Sequence, residues 1–169
     1  MRLHIIGISS AGKTTLARAI ADRTAVPVHE LDGLAFVDDR WTLRAFSERD
    51  AMLARILDEP SFVTEGGFLG WTEKVFAAAD HILWLDPPLW VLTWRHLRRH
   101  WRHPLMLPSL LWFQWRTYVR PAGSGPFRSD PQMTRSGMAH ALRAHASKVY
   151  RVRGAVTADE VFRRLALDR

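Results

Sequence analysis

The sequence predicts an α/β fold built on a parallel sheet, and three observations lead to that class. Apolar runs alternate with amphipathic stretches along the whole chain. Most runs are closed by turn formers or prolines. The first run opens into a glycine-containing loop that passes straight into a helical pattern.

Taken in order, the strands are expected at 3–8, 26–31, 61–64, 81–85 and 148–152. The helices are expected at 13–23, 43–57, 72–79, 89–101, 109–119, 136–147 and 158–167. Asp58-Glu59-Pro60 ends the second helix, because proline restricts the residue before it and supplies no amide proton. Asp86-Pro87-Pro88 closes the fourth strand and offers a proline to the first turn of the next helix. Thr157 and Glu160 form a capping box that opens the last helix. Residues 121–131 hold three prolines and two glycines, the composition of a binding segment or lid.

The chain has 169 residues, enough for one domain spanning 1–169 that buries roughly 70% of the surface exposed by the unfolded chain. Apolar residues make up 47% and charged residues 24%, well away from the disordered regime. There is no cysteine, which excludes disulfides, thiolate metal sites and cysteine nucleophiles and suits a cytoplasmic location. No apolar run approaches the roughly 18 residues of a membrane helix. The net charge is +7, carried almost wholly by arginine, since Lys13, Lys74 and Lys148 are the lysines. Such a surface attracts phosphate, whether on a nucleotide, a nucleic acid or a lipid.

The residues that carry chemistry begin at Gly7-Ile8-Ser9-Ser10-Ala11-Gly12-Lys13-Thr14-Thr15, which fits the phosphate-loop pattern G-x-x-x-x-G-K-[ST]. Small residues let the backbone wrap around a phosphate and aim successive amide protons at it. The helix that starts near Lys13 adds the positive end of its dipole. Lys13 is expected on the β- and γ-phosphates, and the Thr14 hydroxyl on magnesium. Asp32 and Glu30 fall at the end of the second strand, with alternation placing both on one side. Glu65 ends the third strand before Gly66-Gly67 and is a candidate for the second metal-site acid or for orienting an acceptor. Arg95, Arg98, Arg99 and Arg102 lie on a basic helix after the fourth strand. They are expected to close over the nucleotide, as a lid covering about 95–135, and to neutralise charge on the transferred group. The tryptophans of the same region, with Trp90, Trp94 and Trp101 near helical spacing, predict packing against the core or a partner.

These motifs together resemble the small adenylate-kinase-like P-loop proteins known as DNA topology modulation (FlaR-type) proteins. The resemblance rests on Ile5 to Thr15, His29-Glu30-Leu31-Asp32-Gly33-Leu34, Glu65-Gly66-Gly67, and Leu83-Trp84-Leu85-Asp86 before the tryptophan- and arginine-rich helix. It implies a P-loop NTPase fold, with five parallel strands in the order 2-3-1-4-5, helices on either side and a lid after strand 4. It further implies ATP and magnesium, with Gly154 in the loop lining adenine. Where the family usually has Asp-Gly-Asn-Tyr after the third strand, this chain has Glu65-Gly66-Gly67-Phe68.

The reading that follows is an ATP-dependent kinase for a small acceptor, a nucleoside or nucleotide among the candidates. Lys13, Asp32, Glu65, Arg95, Arg98 and Arg99 form its catalytic set, and Thr14 and Glu65 its metal set. Gly7, Ser9, Ser10, Ala11, Gly12, Lys13, Thr14, Thr15 and Gly154 hold the nucleotide. The alternative is a nucleotide-dependent regulatory or nucleic-acid-binding protein with little turnover, which the basic helix favours.

Overall fold

The computed structural model describes residues 1–37, 42–121 and 134–165. Five strands, β1 (Arg2–Ile6), β2 (Val28–Glu30), β3 (Phe62–Gly66), β4 (His81–Leu85) and β5 (Val149–Val152), form one sheet in the order β2-β3-β1-β4-β5. All four pairings are parallel. The earliest strand is therefore the central one. It pairs Ile5 with Glu65 and Ile6 with Gly66 on one side, and Ile6 with Trp84 on the other.

The helices are α1 (Lys13–Thr24), α2 (Leu31–Ala35), α3 (Phe46–Leu57), α4 (Glu73–Ala78), α5 (Leu89–His100), α6 (Leu107–Val119), α7 (Arg135–Ala141) and α8 (Ala158–Leu165). A parallel sheet covered by helices must be apolar on both faces, and Leu3, Ile5, Ile6, Ile82 and Leu83 are indeed fully buried. Leu16, Ala17 and Ile20 of α1 pack on this core. A second apolar cluster gathers Leu31, Leu53, Phe62, Phe68 and Val75 beneath α2 and α3.

Three local expectations are corrected. The second strand stops at Glu30, because Leu31, Leu34 and Ala35 bury one helical face and draw 31–35 into α2. Asp32 thus lies in a first helical turn, and the alternation that would have aligned it with Glu30 does not apply. Helix α3 starts at Phe46, since Leu43 bridges to Phe36 and the Arg44 guanidinium donates to the carbonyls of Leu34 and Phe36. The seventh helix ends at Ala141, and 3-10 turns broken at His145 carry the chain to β5. The capping hydroxyl of Thr157 accepts from the Glu160 amide at 3.3 Å, as the sequence predicts. Most of the 121–131 segment lies outside the described residues.

Candidate active site

The loop between β1 and α1 is shaped by close approach and by left-handed backbone. A Cβ on Gly7 would lie 2.6 Å from the Leu85 carbonyl oxygen, so only glycine passes there. Ser10 has φ 62° and Gly12 φ 99°, and alternating left- and right-handed residues turn amide protons toward a common centre. The turn is closed by the Ala11 amide, which donates to the Ile8 carbonyl at 3.2 Å. Ser10 is not glycine, and its Oγ is buried without a hydrogen-bond partner. The left-handed strain and the orphan hydroxyl both favour Ser10→Gly, against a smaller entropic cost. That variant is expected to gain about 1 kcal/mol, read as a rise of roughly 2–4 °C in melting temperature.

Lys13 is the first residue of α1, and its Nζ lies 3.4 Å from the Ile8 carbonyl. Burial lowers its pKa, while the negative charges of Glu65 and Asp32 act in the opposite direction. The Thr14 hydroxyl donates to Glu65 Oε1 at 2.6 Å, joining the start of α1 to the end of β3. Glu65 is almost fully buried, and its carboxyl is pushed up chiefly by that burial. The Thr14 bond and Lys13 pull it down, and Asp32 and Glu30 push it up again. Asp32 is exposed but recessed in the same cleft, and partial burial raises it most, with Lys13 opposing. Two carboxyls with raised pKa and one ammonium with lowered pKa therefore face each other at the loop's mouth. Below them, His4 is buried in β1 with Nδ1 2.9 Å from the Thr64 hydroxyl. Burial lowers its pKa to about 3, the Thr64 bond opposes, and Lys13 lowers it further, so the ring is neutral at physiological pH.

From the other side, helix α5 brings Arg95 over the loop. Its guanidinium donates to the carbonyls of Ala11 at 2.8 Å and Ser10 at 3.3 Å. One cleft of about 1500 Å³ joins Gly7 through Thr15, Asp32, Glu65, Arg95, Arg99 and Gly154. Arg99 follows Arg95 by one turn and shares that wall, whereas Arg98 is exposed and is not among the residues lining the cleft. Sequence reasoning had grouped these arginines on one face, a grouping too coarse for neighbours about 100° apart on a helix. Arg135 donates to Asp86 at 2.5 and 2.9 Å, and Arg151 completes the clamp on that buried carboxylate.

The cleft has further walls that the motifs did not reveal. Phe36 and Phe68 stand near the carboxylates with their rings 5.9 Å apart, and Glu30 pairs with Arg18 at 2.7 Å. Leu110, Phe113 and Thr117 of α6 contribute one side, and Ala155 and Val156 beside Gly154 also line the cleft. The strand-end carboxylates had a sequence signal in their position after an apolar run. Phe113 had none, since its place depends on how α6 packs on α5.

Of the two surroundings expected for the tryptophans, the core does not cover most of them. Trp71 and Trp84 are buried, but Trp90, Trp94, Trp101, Trp112 and Trp115 are exposed.

Strand order, parallel pairing and the β1–loop–α1 geometry define the P-loop kinase fold. The chain is similar to solved structures of that fold. A gluconokinase from Sinorhizobium meliloti 1021 aligns with a TM-score of 0.57 at 20% identity, covering 98% of this chain and 93% of the other. A shikimate kinase from Acinetobacter baumannii, in complex with shikimate, aligns with a TM-score of 0.54 at 14% identity, covering 98% and 89%. An uncharacterized protein from Eubacterium ventriosum ATCC 27560 gives 0.54 at 13% identity, with 98% and 95% covered. No protein-family model matches the sequence, and no curated protein matches it.

Proposed function

We propose that the protein is an ATP-dependent kinase of a small hydroxyl- or phosphate-bearing acceptor. The observation that carries this reading is the convergence of Lys13, the Thr14–Glu65 pair, Asp32 and Arg95 on one cleft. The second carboxylate facing the ammonium is the feature that favours phosphoryl transfer over nucleotide binding alone.

The residues fit a magnesium nucleotide. Ser10 and Gly12 curve the loop into an anion cradle, Gly7 leaves it open to close approach, and the hydroxyl–carboxylate pair of Thr14 and Glu65 is a hard oxygen donor set. Magnesium would supply positive charge against the negative charge that develops on the transferred phosphoryl group. Thr14 and Glu65 would hold it, and the loop amides and Lys13 would hold phosphate. Gly154 and its neighbours would receive the base. Arg95, at present bonded to loop carbonyls, and Arg99 would supply positive charge above the phosphates. Asp32 is free to accept the proton of an acceptor hydroxyl, and its raised pKa brings it nearer the range where a base is effective.

Two of the similar structures are kinases, which supports this reading, as does the small-molecule substrate bound in one of them. The narrower resemblance to the DNA topology modulation proteins, the cytoplasmic location and a lid over about 95–135 belong to the same proposal and rest on sequence. Among the described residues no helix is long and apolar enough to cross a membrane.

A panel of sugars, sugar acids and nucleosides with labelled ATP tests the reading, with and without DNA. Transfer to one class, independent of DNA, is expected. In the responding assay, Asp32→Asn should lower transfer by about 10²- to 10⁴-fold while ATP affinity changes little. Equal loss of both would reassign Asp32 to the metal or to folding.

A further inference from the structure

We propose that the hairpin of α5 and α6 docks the protein on an anionic lipid surface. Helix α5 has two faces with different fates. Leu92 and His96 are buried, and Arg95 turns into the cleft. The other face, with Leu89, Trp90, Thr93, Trp94 and Leu97, is a continuous apolar surface facing solvent, and Trp90 is 72% exposed. Helix α6 repeats the pattern, with Gln114 and Thr117 buried and Trp112, Trp115 and Val119 exposed. The turn between them, Pro104–Met106, puts Leu105 at 95% exposure. Apolar side chains on this scale mark an interaction surface.

Charge decides what covers it. From Pro87 to Ser129 the sequence has no aspartate or glutamate, and six arginines fall between Pro87 and Pro121. A second copy of the hairpin would set those arginines against their equals with no acid between them. Nucleic acid would meet the charge, but its contacts are made by cations and by rings that stack on bases. Here the apex is aliphatic, Leu105 and Met106, with cationic Arg102 just before it. The cations also lie against tryptophan faces, with the Arg102 guanidinium 5.1 Å from the Trp101 ring and that of Arg116 5.2 Å from Trp112. Tryptophan at the headgroup level, aliphatic tips below it and arginines reaching the phosphates is the arrangement of an interfacial lipid contact. This inference rests on exposure and charge and is independent of the phosphoryl-transfer reading.

Flotation of the full chain with vesicles tests it, using phosphatidylcholine alone and with about one-third phosphatidylglycerol. Binding to the anionic vesicles is expected, with tryptophan emission moving to shorter wavelength and affinity falling at least about tenfold at roughly 0.5 M salt. Leu105→Asp with Met106→Asp should retain the melting temperature, since both side chains are exposed, and lose about tenfold or more in vesicle affinity. Arg102→Glu with Arg116→Glu should lose the preference for anionic lipid. Equal binding to both vesicle types, or none to either, overturns the proposal. So does a stable dimer that shields the tryptophans, or DNA binding that displaces vesicles and survives the Leu105 and Met106 substitutions.

Discussion

Lys13→Ala is expected to lower phosphoryl transfer by about 10³-fold or more, with the largest effect on turnover. The ammonium stands at the mouth of the loop, facing Glu65 and Asp32, and donates to a single carbonyl, that of Ile8, at 3.4 Å. Its loss removes the positive charge that would face the transferred group and leaves the two carboxylates facing each other. Both already have raised pKa values; Lys13 restrains Asp32, and after the Thr14 hydrogen bond it also restrains Glu65. The variant should therefore fold, and because burial of the ammonium outweighs its attraction to the carboxylates it should melt no lower than the parent near pH 7. The difference should move further in its favour on acidification, as the carboxyls take up protons and leave the parent's ammonium without partners. Turnover kinetics and thermal melts across pH read the two effects separately. Parental turnover in the variant would remove the loop from the chemistry.

Glu65→Gln is expected to act in opposite directions on activity and stability. Glutamine keeps an oxygen to accept the Thr14 hydroxyl but loses the charge, so transfer should fall by about 10²-fold or more and the magnesium requirement should rise. Stability should move the other way. The folded-state pKa of Glu65 lies above its unfolded value of about 4.3, so between the two the folded chain holds more protons. Stability then declines as pH rises through that window, and the decline persists at neutral pH. Glutamine has no such cost, so the variant should melt above the parent at pH 7 and converge with it near pH 4. A variant that is both inactive and less stable would mean that the carboxylate supports the fold.

The phosphate loop was legible because its function is local. Nine consecutive residues provide the turn, the cation and the hydroxyl, and the strand before and helix after can be read from periodicity alone. Asp32 and Glu65 were both read as strand-end acids; Glu65 does lie at the end of β3, whereas Asp32 lies in the first turn of α2, and both interact electrostatically with Lys13. The direct bond from Thr14 to Glu65 was not legible, since it depends on the register that sets Ile5 beside Glu65. The sheet order followed from resemblance to a known fold, and no feature of the strands' own sequences selects it. The core half of the expectation for the tryptophans failed for a physical reason. Helical spacing identifies a face but not what covers it, and α5 uses its opposite face for the core. Arg98 was grouped with Arg95 and Arg99 because a basic run in sequence carries no information about which member faces inward.

The central place of β1 also has a consequence for how the chain is made. Residues 2–6 leave the ribosome well before both of their sheet neighbours, 62–66 and 81–85. At ordinary synthesis rates of about 5–20 residues per second, the strand waits roughly 3–10 s for its first partner. During that wait an apolar segment has no edge to pair with, and the loop after it lacks the Leu85 backbone that Gly7 approaches closely. On the proposed reading, nucleotide could not support a nascent chain before β4 and α5 have been added, because the cleft is lined by residues from the loop and from Leu85, Pro87 and Arg95 together. Long-range parallel pairing of this kind is slow to form, so temperature and chaperone supply during synthesis should govern the yield of folded protein more strongly than added ligand does.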